Sequence, residues 1–196
     1  MINKCLTCVF ALGLLAGWST VTHASDSAWG LAGTYWDTED GDDTAGASFR
    51  LNIQPLEAAH TRVDFRLSYY ENVLPNSAPL GAELAVTPIE LGLSLHTSPK
   101  GPLNAYIGGG LSFCFMDTTS NASDEPFSSS DELGYYGFIG FEGTISGESN
   151  FWLTQRTTLF IEGSYRAVDV DALAPGDTEG GTLDGAALNA GILFYW

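Results

Sequence analysis

Basic residues are scarce in this sequence of 196 residues. Seven Lys and Arg stand against 24 Asp and Glu, which gives a formal net charge of −17. Such a charge excludes nucleic acid as a partner, and it argues against a surface that binds anionic lipid through a basic patch. Apolar runs are short as well. Val9 to Trp18 spans about ten residues, whereas a membrane-spanning helix needs about 20.

The N-terminal segment has the pattern of an export signal. Lys4 supplies a positive charge, Val9 to Trp18 an apolar core, and Thr22 to Ala24 a small-residue cleavage site. Cys5 and Cys8 precede the apolar core, so neither lies where a lipoprotein cysteine would. We predict a Sec-type signal peptide over residues 1–24 and one domain over residues 25–196.

Cysteine is scarce in the predicted mature chain, where only Cys114 remains. An intrachain disulfide is therefore excluded. Removing the signal also leaves six basic against 24 acidic residues, a net charge of −18. The domain must be held together by its backbone hydrogen bonds and its packing, and we expect Cys114 to be a small packed residue.

No amphipathic helix is indicated after the signal, but apolar and polar residues alternate with the period of two that is typical of β-strands. The alternation is clearest from Thr61 to Glu71. The pattern predicts eight strands, an even number as in single-chain bacterial outer-membrane barrels. They are Ser27–Asp37, Ala45–Gln54, Thr61–Glu71, Gly81–His96, Asn104–Asp117, Glu132–Ser146, Arg156–Val168 and Gly185–Trp196.

The fourth strand changes phase. Glu83, Ala85 and Thr87 are out of step with the alternation that begins at Ile89. Pro88 lies at the change, and proline within a sheet is often found at a bulge. We therefore expect a β-bulge at Pro88.

The last strand ends in a motif. Asn189, Gly191, Phe194 and Trp196 match the pattern polar-x-Gly-x-x-apolar-x-aromatic, which resembles the C-terminal assembly signal of bacterial outer-membrane barrels. The resemblance implies that the barrel assembly machinery recognises these residues. We expect the last strand to pair with the first near Trp29 to Tyr35, with Asn189 and Gly191 inside the barrel.

The connections between strands alternate in kind. Those near residues 55–60, 98–103 and 147–155 have few acids. Those near residues 38–44, 72–80, 118–131 and 169–184 lie between them, and all but the second are strongly acidic. With both termini in the periplasm, the first set becomes periplasmic turns and the second becomes extracellular loops.

Two barrel types fit eight strands: a transmembrane barrel and a soluble lipocalin-like barrel. A soluble barrel places its apolar face inside and its charges outside. Here the polar faces are rich in Gly, Ser, Thr and Asn, and the apolar faces are unbroken and end in aromatic residues. This distribution favours lipid outside. We predict an all-β, eight-stranded antiparallel up-and-down transmembrane barrel in the bacterial outer membrane.

Charged residues fall on the faces predicted to line the lumen. They are Arg50, Arg66, Arg166, Asp64, Glu90, Glu142 and Glu162. Eight strands enclose a space just wide enough to be filled by side chains, and buried charges must be paired. The residues therefore indicate either a salt-bridged plug or a narrow ion path, and a general diffusion pore is excluded.

The acidic loops could be solvated surface or weak Ca²⁺ or Mg²⁺ sites. Asp37 to Asp43 lacks the full twelve-residue ligand spacing of a Ca²⁺ loop with its terminal Glu, so we predict no metal site and no cofactor. The acids form three clusters: Asp37, Glu39, Asp40, Asp42 and Asp43; Asp117, Asp124, Glu125, Asp131 and Glu132; and Asp169, Asp171, Asp177, Glu179 and Asp184.

His96-Thr97-Ser98 is similar to the His-x-Ser pair of outer-membrane lipid A deacylases. In those enzymes the pair lies near the end of the chain and faces lipid, whereas here it follows the fourth strand, with His96 directed inward. A catalytic pair also needs a third residue that orients the base, and none is near in sequence. Catalysis by His96 and Ser98 is therefore the alternative to a non-enzymatic barrel, for which no catalytic residue is predicted.

Nearly all of the mature chain resembles the small outer-membrane β-barrel family of opacity and OmpA/OmpX-like proteins. The stretches that carry the likeness are residues 105–111 (AYIGGGL), 137–142 (GFIGFE) and 160–166 (FIEGSYR). The resemblance implies a surface protein for adhesion, envelope defence or structure. We expect no C-terminal peptidoglycan-binding domain, because the sequence ends at the barrel. We expect a monomer that contacts outer-membrane lipid and lipopolysaccharide, and possible host or cell-surface ligands at its loops.

Overall fold

The computed structural model describes residues 27–39, 43–55, 60–71, 73, 82–98, 100–120, 131–146, 156–170 and 181–196. The predicted signal peptide, residues 1–24, lies outside the described residues and stays a prediction. Among the described residues, no helix is long and apolar enough to cross a membrane.

Eight long strands form a closed antiparallel barrel in which each strand pairs with its neighbours in sequence and the last pairs with the first. The strands are β1 (Ala28–Thr38), β2 (Thr44–Ile53), β3 (Thr61–Tyr70), β4 (Ala82–His96), β5 (Leu103–Ser120), β6 (Glu132–Ser146), β7 (Arg156–Ala167) and β10 (Gly185–Tyr195). The predicted fold class is confirmed. β5 extends to Ser120, three residues beyond its predicted end.

Two short strands interrupt the last predicted loop. β8 (Asp169–Val170) and β9 (Gly181–Thr182) pair with each other and form a separate two-stranded sheet. Alternation could not predict them, because two residues carry no period.

The barrel has two ends. Both described termini, Ser27 and Trp196, lie at one end, which we call the terminal end, and the backbone N–H of Trp196 donates to the Ser27 carbonyl. The opposite end carries the acidic connections, and we call it the loop end. The predicted closure of β1 on β10 is confirmed, with Trp29 opposite Phe194 and Tyr35 opposite Leu188.

The polarity of the barrel wall is that of a membrane protein. In β3, Val63, Phe65 and Leu67 face outward, whereas Arg62, Asp64 and Arg66 are buried in the lumen. Large apolar side chains on the other strands also face outward and are more than half exposed, among them Leu91, Ile107, Ile139, Ile161 and Leu188. A surface of this kind is stable only against lipid, because apolar surface this extensive is costly in water.

The predicted bulge at Pro88 is wrong. The pairing of β4 with β5 keeps one register from Ala82 opposite Ser120 to His96 opposite Tyr106. Leu84, Val86 and Glu90 all face inward, so the side chains alternate without a break. The phase change in the sequence therefore has another cause: the interior of the barrel becomes apolar at this level. Among the described pairings, a register shift of the kind that a β-bulge produces lies in β6 between Thr144 and Ser146.

Buried apolar side chains fill the lumen at the loop end. We call this group the apolar cap: Trp36, Tyr70, Val73, Leu84, Val86, Cys114, Met116, Val168, Leu183 and Ala187. Outward-facing neighbours at the same level include Asp37 and Asp117, which are exposed. Here the wall is apolar inside and charged outside, as in a protein surrounded by water. We infer that the strands continue beyond the membrane and build a conventional core there.

Candidate functional site

The lumen is the candidate functional site, because four of the chain's five arginines are buried in it. At its centre lies a group that we call the lumen cluster: Arg50, Arg66, Asp64 and Glu162. Arg50 and Arg66 are directly opposite each other on β2 and β3. Like charges in such a pair are destabilising, so the two carboxylates must compensate for the repulsion.

Each carboxylate of the lumen cluster binds both arginines. Asp64 lies 2.6 Å from Arg50 Nη2 and 2.5 Å from Arg66 Nε. Glu162 reaches across from β7 and lies 2.9 Å from Arg50 Nη1 and 2.5 Å from Arg66 Nη1. All four side chains are at most 7% exposed. The result is a closed ring of two cations and two anions, which meets the requirement that buried charges be paired.

Aromatic rings surround the arginines of the lumen cluster. The guanidinium carbon of Arg50 lies 4.9 Å from the centre of the Tyr106 ring, and that of Arg66 lies 3.8 Å from the centre of the Phe138 ring. Such contacts stabilise a cation that has lost water. Tyr106, Tyr136, Phe138 and Phe160 are all buried in the lumen. The sequence analysis did not assign these four aromatic residues to the lumen, because they lie on strand faces that otherwise consist of small and polar residues.

Glycines directly across from these rings on the neighbouring strand, Gly108 opposite Phe138 and Gly140 opposite Tyr106, make room for them. A Cβ atom on Gly108 would collide with the Phe138 ring, and one on Gly140 would collide with the Tyr106 ring. The glycine-rich stretches in residues 105–111 and 137–142 therefore follow from packing inside a narrow barrel.

A second network lies near the terminal end, around the buried carboxylate of Glu142. Glu142 accepts hydrogen bonds from Tyr195 Oη at 2.5 Å and from Asn104 Nδ2. Arg62 Nη1 donates to Tyr195 Oη at 2.8 Å and lies 3.5 Å from Glu142. Arg62 is fully buried and was missing from the charges predicted for the lumen. The network ties the closing strand to β3 and β6.

His96 belongs to this second network, as its predicted inward direction implies. Its Nε2 lies 3.0 Å from Ser94 Oγ, and its Nδ1 lies 2.7 Å from Asn104 Nδ2. The backbone N–H of Ser98 donates to Asn104 Oδ1 at 2.9 Å, which orients the amide with its NH₂ group towards His96. His96 Nδ1 must then accept, so the ring proton is on Nε2 and is donated to Ser94.

This arrangement does not suit nucleophilic catalysis. A general base must accept the proton of the attacking hydroxyl, but His96 Nε2 donates to Ser94, and Ser94 is fully buried. Ser98 is exposed, whereas His96 is buried in the lumen. The structure thus brings the His96 ring together with Ser94 and Glu142 inside the lumen, and places Ser98 outside it.

A third group of charges in the lumen is the ion pair of Arg166 and Glu90, which lies next to the apolar cap. Arg166 Nε donates to Glu90 Oε1 at 2.7 Å. The same guanidinium carbon lies 4.7 Å from the centre of the Trp36 ring and 5.6 Å from that of Tyr70. Arg166 therefore joins the charged interior to the apolar cap.

All seven charges predicted for the lumen are buried there and paired with charges of opposite sign, Glu142 with Arg62. A cavity of about 10 Å³ lies between the lumen cluster and Arg166, which is about the space of one water molecule. The described side chains thus form the predicted salt-bridged plug, with the apolar cap above it.

The loop end carries a different set of contacts. Three outward-facing tyrosines donate their hydroxyls to carboxylates at the rim: Tyr35 to Asp43 at 2.6 Å, Tyr69 to Glu71 at 3.0 Å, and Tyr165 to Glu39 at 3.0 Å. Tyrosine suits a membrane interface, because its ring contacts lipid while its hydroxyl binds polar groups.

The acidic clusters are described in part. Asp40, Asp42, Asp124, Glu125, Asp171, Asp177 and Glu179 lie outside the described residues. Within the described ranges, no three His, Cys, Asp or Glu side chains are placed to hold a metal ion.

The residues of the C-terminal motif occupy the predicted faces. Asn189 is buried in the lumen and donates to Glu162 and to Ser164 Oγ, both at 3.2 Å. A Cβ atom on Gly191 would collide with the β1 backbone at Leu31 and Ala32. Trp196 faces outward. The polar residue and the glycine of the motif thus serve packing and pairing at the closing seam.

No protein-family model matches the sequence, and no curated protein matches it either. Solved structures do match its fold. The outer membrane protein OprG from Pseudomonas aeruginosa superposes with a TM-score of 0.64 at 12% identity, over 88% of this chain and 96% of that one. Neisserial surface protein A superposes with a TM-score of 0.60 at 13% identity, over 89% and 98%.

A third match is Ail, the attachment invasion locus protein of Yersinia pestis, in complex with the heparin analogue sucrose octasulfate. Its TM-score is 0.50 at 10% identity, over 88% of this chain and 97% of that one.

The closed barrel, apolar outside and polar inside, fits the bacterial outer membrane that the sequence predicts. The chain therefore has the fold of the small eight-stranded outer-membrane β-barrels of the opacity and OmpA/OmpX-like kind.

Proposed function

We propose that this protein is a non-enzymatic surface barrel, which holds acidic loops outside the cell on a rigid, closed base. The observation that carries the proposal is the filled lumen. Paired charges occupy its middle and the apolar cap its loop end, an arrangement that favours display of the loops over transport through the barrel.

The charge of the loops indicates which partners they suit. Apart from Lys4, every basic residue of the sequence lies in a strand or, for Lys100, in a connection at the terminal end. The four connections at the loop end contain no Lys or Arg at all. A sulfated polyanion of the kind seen in the Ail complex is thus a poor ligand for these loops, whereas a cationic partner fits their charge.

Binding of charged probes to the protein in proteoliposomes tests this part of the proposal. We expect polylysine to bind at low salt and to be released as the ionic strength rises, because exposed charges are screened. Sucrose octasulfate should not bind. A variant with residues 121–130 replaced by a short Gly-Ser turn should lose part of the polylysine binding. Whole cells that carry this variant should show reduced adhesion or reduced survival. Binding of sucrose octasulfate would contradict the proposal.

The second candidate is a lipid A-modifying hydrolase that uses His96 and Ser98. Its support is the His-x-Ser spacing, and the hydrogen bonds of His96 speak against it. Cells that carry His96→Ala or Ser98→Ala should keep the lipid A mass profile of the wild type. Loss of a modified species in both variants would establish the enzyme.

A narrow ion channel is the third candidate, and the charged lumen is its support. In planar bilayers we expect no discrete conductance steps from the wild type, because paired charges and the apolar cap occupy the lumen over the described residues. Reproducible steps from the purified protein would replace the surface-display proposal with a channel.

The partners within the envelope follow from the position of the chain. We propose contact with outer-membrane lipid and lipopolysaccharide through the outward apolar and tyrosine-bearing faces. Recognition by the barrel assembly machinery would use Asn189, Gly191, Phe194 and Trp196. We expect a monomer, which light scattering in detergent can test.

A further inference from the structure

The outward tyrosines near the loop end mark one level of the barrel wall. Paired residues followed from strand to strand lead from Ala28 once around the barrel to Thr38, ten residues further along β1. This stagger tilts the strands by about 40–45°, so each residue adds about 2.4 Å along the barrel axis. Four exposed tyrosines then lie within about 3 Å of one height. We call them the tyrosine ring: Tyr35, Tyr69, Tyr135 and Tyr165.

The apolar outer wall is short on β1 and β3. Below Tyr69 the outward residues of β3 are apolar down to Val63, six residues away, and Thr61 follows. Two residues above Tyr69 lies the exposed Glu71. β1 has the same extent, because Trp29 lies six residues before its own ring tyrosine. Six residues span about 14 Å along the axis, whereas the apolar band of such barrels is usually about 25 Å tall.

The wall of β5 and β6 stays apolar above the tyrosine ring. Leu133 on β6 lies at the height of Glu71 and is 62% exposed. It pairs with Phe113 on β5, and the rings of Phe113 and Phe115 contact each other with centroids 4.9 Å apart. The interior at this level is the apolar cap, so the wall here is apolar on both faces. Such a wall is costly in water.

The same two strands also extend the apolar wall at the terminal end. Leu103 on β5 and Ile145 on β6 face outward, and their side chains are 66% and 58% exposed. The twelve residues from Leu103 to Phe115 span about 29 Å along the axis, about twice the extent on β3. A tilt of the whole barrel would raise one side and lower the other, but it could not cover a wall that is taller at both ends.

We propose that the barrel grades the thickness of the bilayer around it. Acyl chains are compressed beside β1 and β3, and they extend beside β5 and β6 far enough to cover Leu133 and Phe115 at one end and Leu103 at the other. Lipid is the cover that fits, because this surface continues without a charged residue into the lipid-facing wall, and bilayers adapt to such mismatch at modest cost. The inference rests on the proposed contact with outer-membrane lipid.

Nitroxide labels at matched cysteine positions test the proposal. The barrel is purified from outer membranes in a Cys114→Ala background and reconstituted in vesicles of dimyristoyl phosphatidylcholine. Leu133→Cys and Glu71→Cys carry labels at one height, and Leu103→Cys lies slightly further towards the terminal end than Thr61→Cys. We expect oxygen, which concentrates in lipid, to relax the labels at positions 133 and 103 several-fold more than a water-soluble nickel chelate does. The order should be reversed at positions 71 and 61.

The other outcomes overturn the proposal in distinguishable ways. Labels in water at both 133 and 103 would mean an even bilayer, with the surface of Phe113, Phe115 and Leu133 free for a protein partner. A label in lipid at 133 and in water at 103 would mean a tilted barrel. Labels in lipid at all four positions would mean an even, thick bilayer.

Two further labels separate this inference from the membrane assignment itself. Phe65→Cys on β3 and Ile139→Cys on β6 lie at about one height near the middle of the wall, and both face outward. We expect both labels in lipid whether or not the bilayer is graded. Labels in water at these two positions would contradict the proposed contact with outer-membrane lipid, and the graded bilayer would fail with it.

Discussion

The guanidinium of Arg50 meets the carboxylate of Glu162 across the lumen, with Nη1 2.9 Å from Oε2, although the two residues lie 112 positions apart in the chain. The contact forms only when the barrel closes, because it joins β2 to β7. Substitutions of the interior charges should therefore change the stability of the closed barrel.

Glu162→Gln should destabilise the barrel strongly, because it leaves Arg50 and Arg66 facing each other with Asp64 as their main counter-charge. Breaking a buried ion pair costs about 3–5 kcal/mol. We expect a loss of this size in the free energy of unfolding, measured by urea titration in detergent. Glu71→Gln is the matched control: Glu71 is exposed, so its effect should stay within about 0.5 kcal/mol. Equal effects of the two variants would contradict the importance of the lumen cluster.

Tyr195→Phe tests the network at the terminal end. The hydroxyl of Tyr195 donates to Glu142 and accepts from Arg62, and both partners are buried. Removing it should cost about 1–3 kcal/mol of unfolding free energy, because it leaves buried charged groups with one hydrogen bond fewer. Tyr135→Phe, on the outer surface with a side chain 67% exposed, should be nearly neutral. Both variants can be measured by heating samples before gel electrophoresis and recording the temperature at which the band of the folded barrel disappears.

Ile161→Arg tests the orientation towards lipid. Ile161 faces outward near the middle of β7 and is 53% exposed. An arginine near the bilayer midplane costs about 2–4 kcal/mol, falling to about 0–1 near the interface. Leu103→Arg, at the terminal end of β5, should therefore be far milder. The measurement is the free energy of unfolding of each variant in lipid vesicles. Equal losses for the two arginines would mean that the outer surface does not face the membrane.

Cys114 reports on the apolar cap. Its side chain is fully buried against the cap, so we expect a maleimide to label the folded barrel very slowly and the boiled barrel at once. Trp36→Ala removes the largest ring of the cap, at a cost of about 3–5 kcal/mol, and should make Cys114 accessible while the barrel still runs as the folded band. Rapid labelling of the unmodified folded barrel would show that the cap is open.

The sequence by itself determined the eight long strands, most of their faces and the closing pair. Alternation is a local property: in an extended chain, neighbouring side chains point to opposite faces whatever the rest of the fold does. Val63 and Arg62 could therefore be assigned to lipid and lumen from sequence alone, and the charges in the lumen could be foreseen before their partners were known.

The tertiary structure decided which groups meet across the lumen. That Arg50 finds Glu162, that Tyr106 and Phe138 fold inward over glycines, and that His96 binds Ser94 and Asn104 all depend on the closure of the barrel. The same holds at Pro88, where the phase change predicted a bulge and the backbone is regular. The solvent around the wall changes from lipid to water near that level, so the apolar side chains move from the outer face to the inner one, and only the assembled barrel shows where this happens.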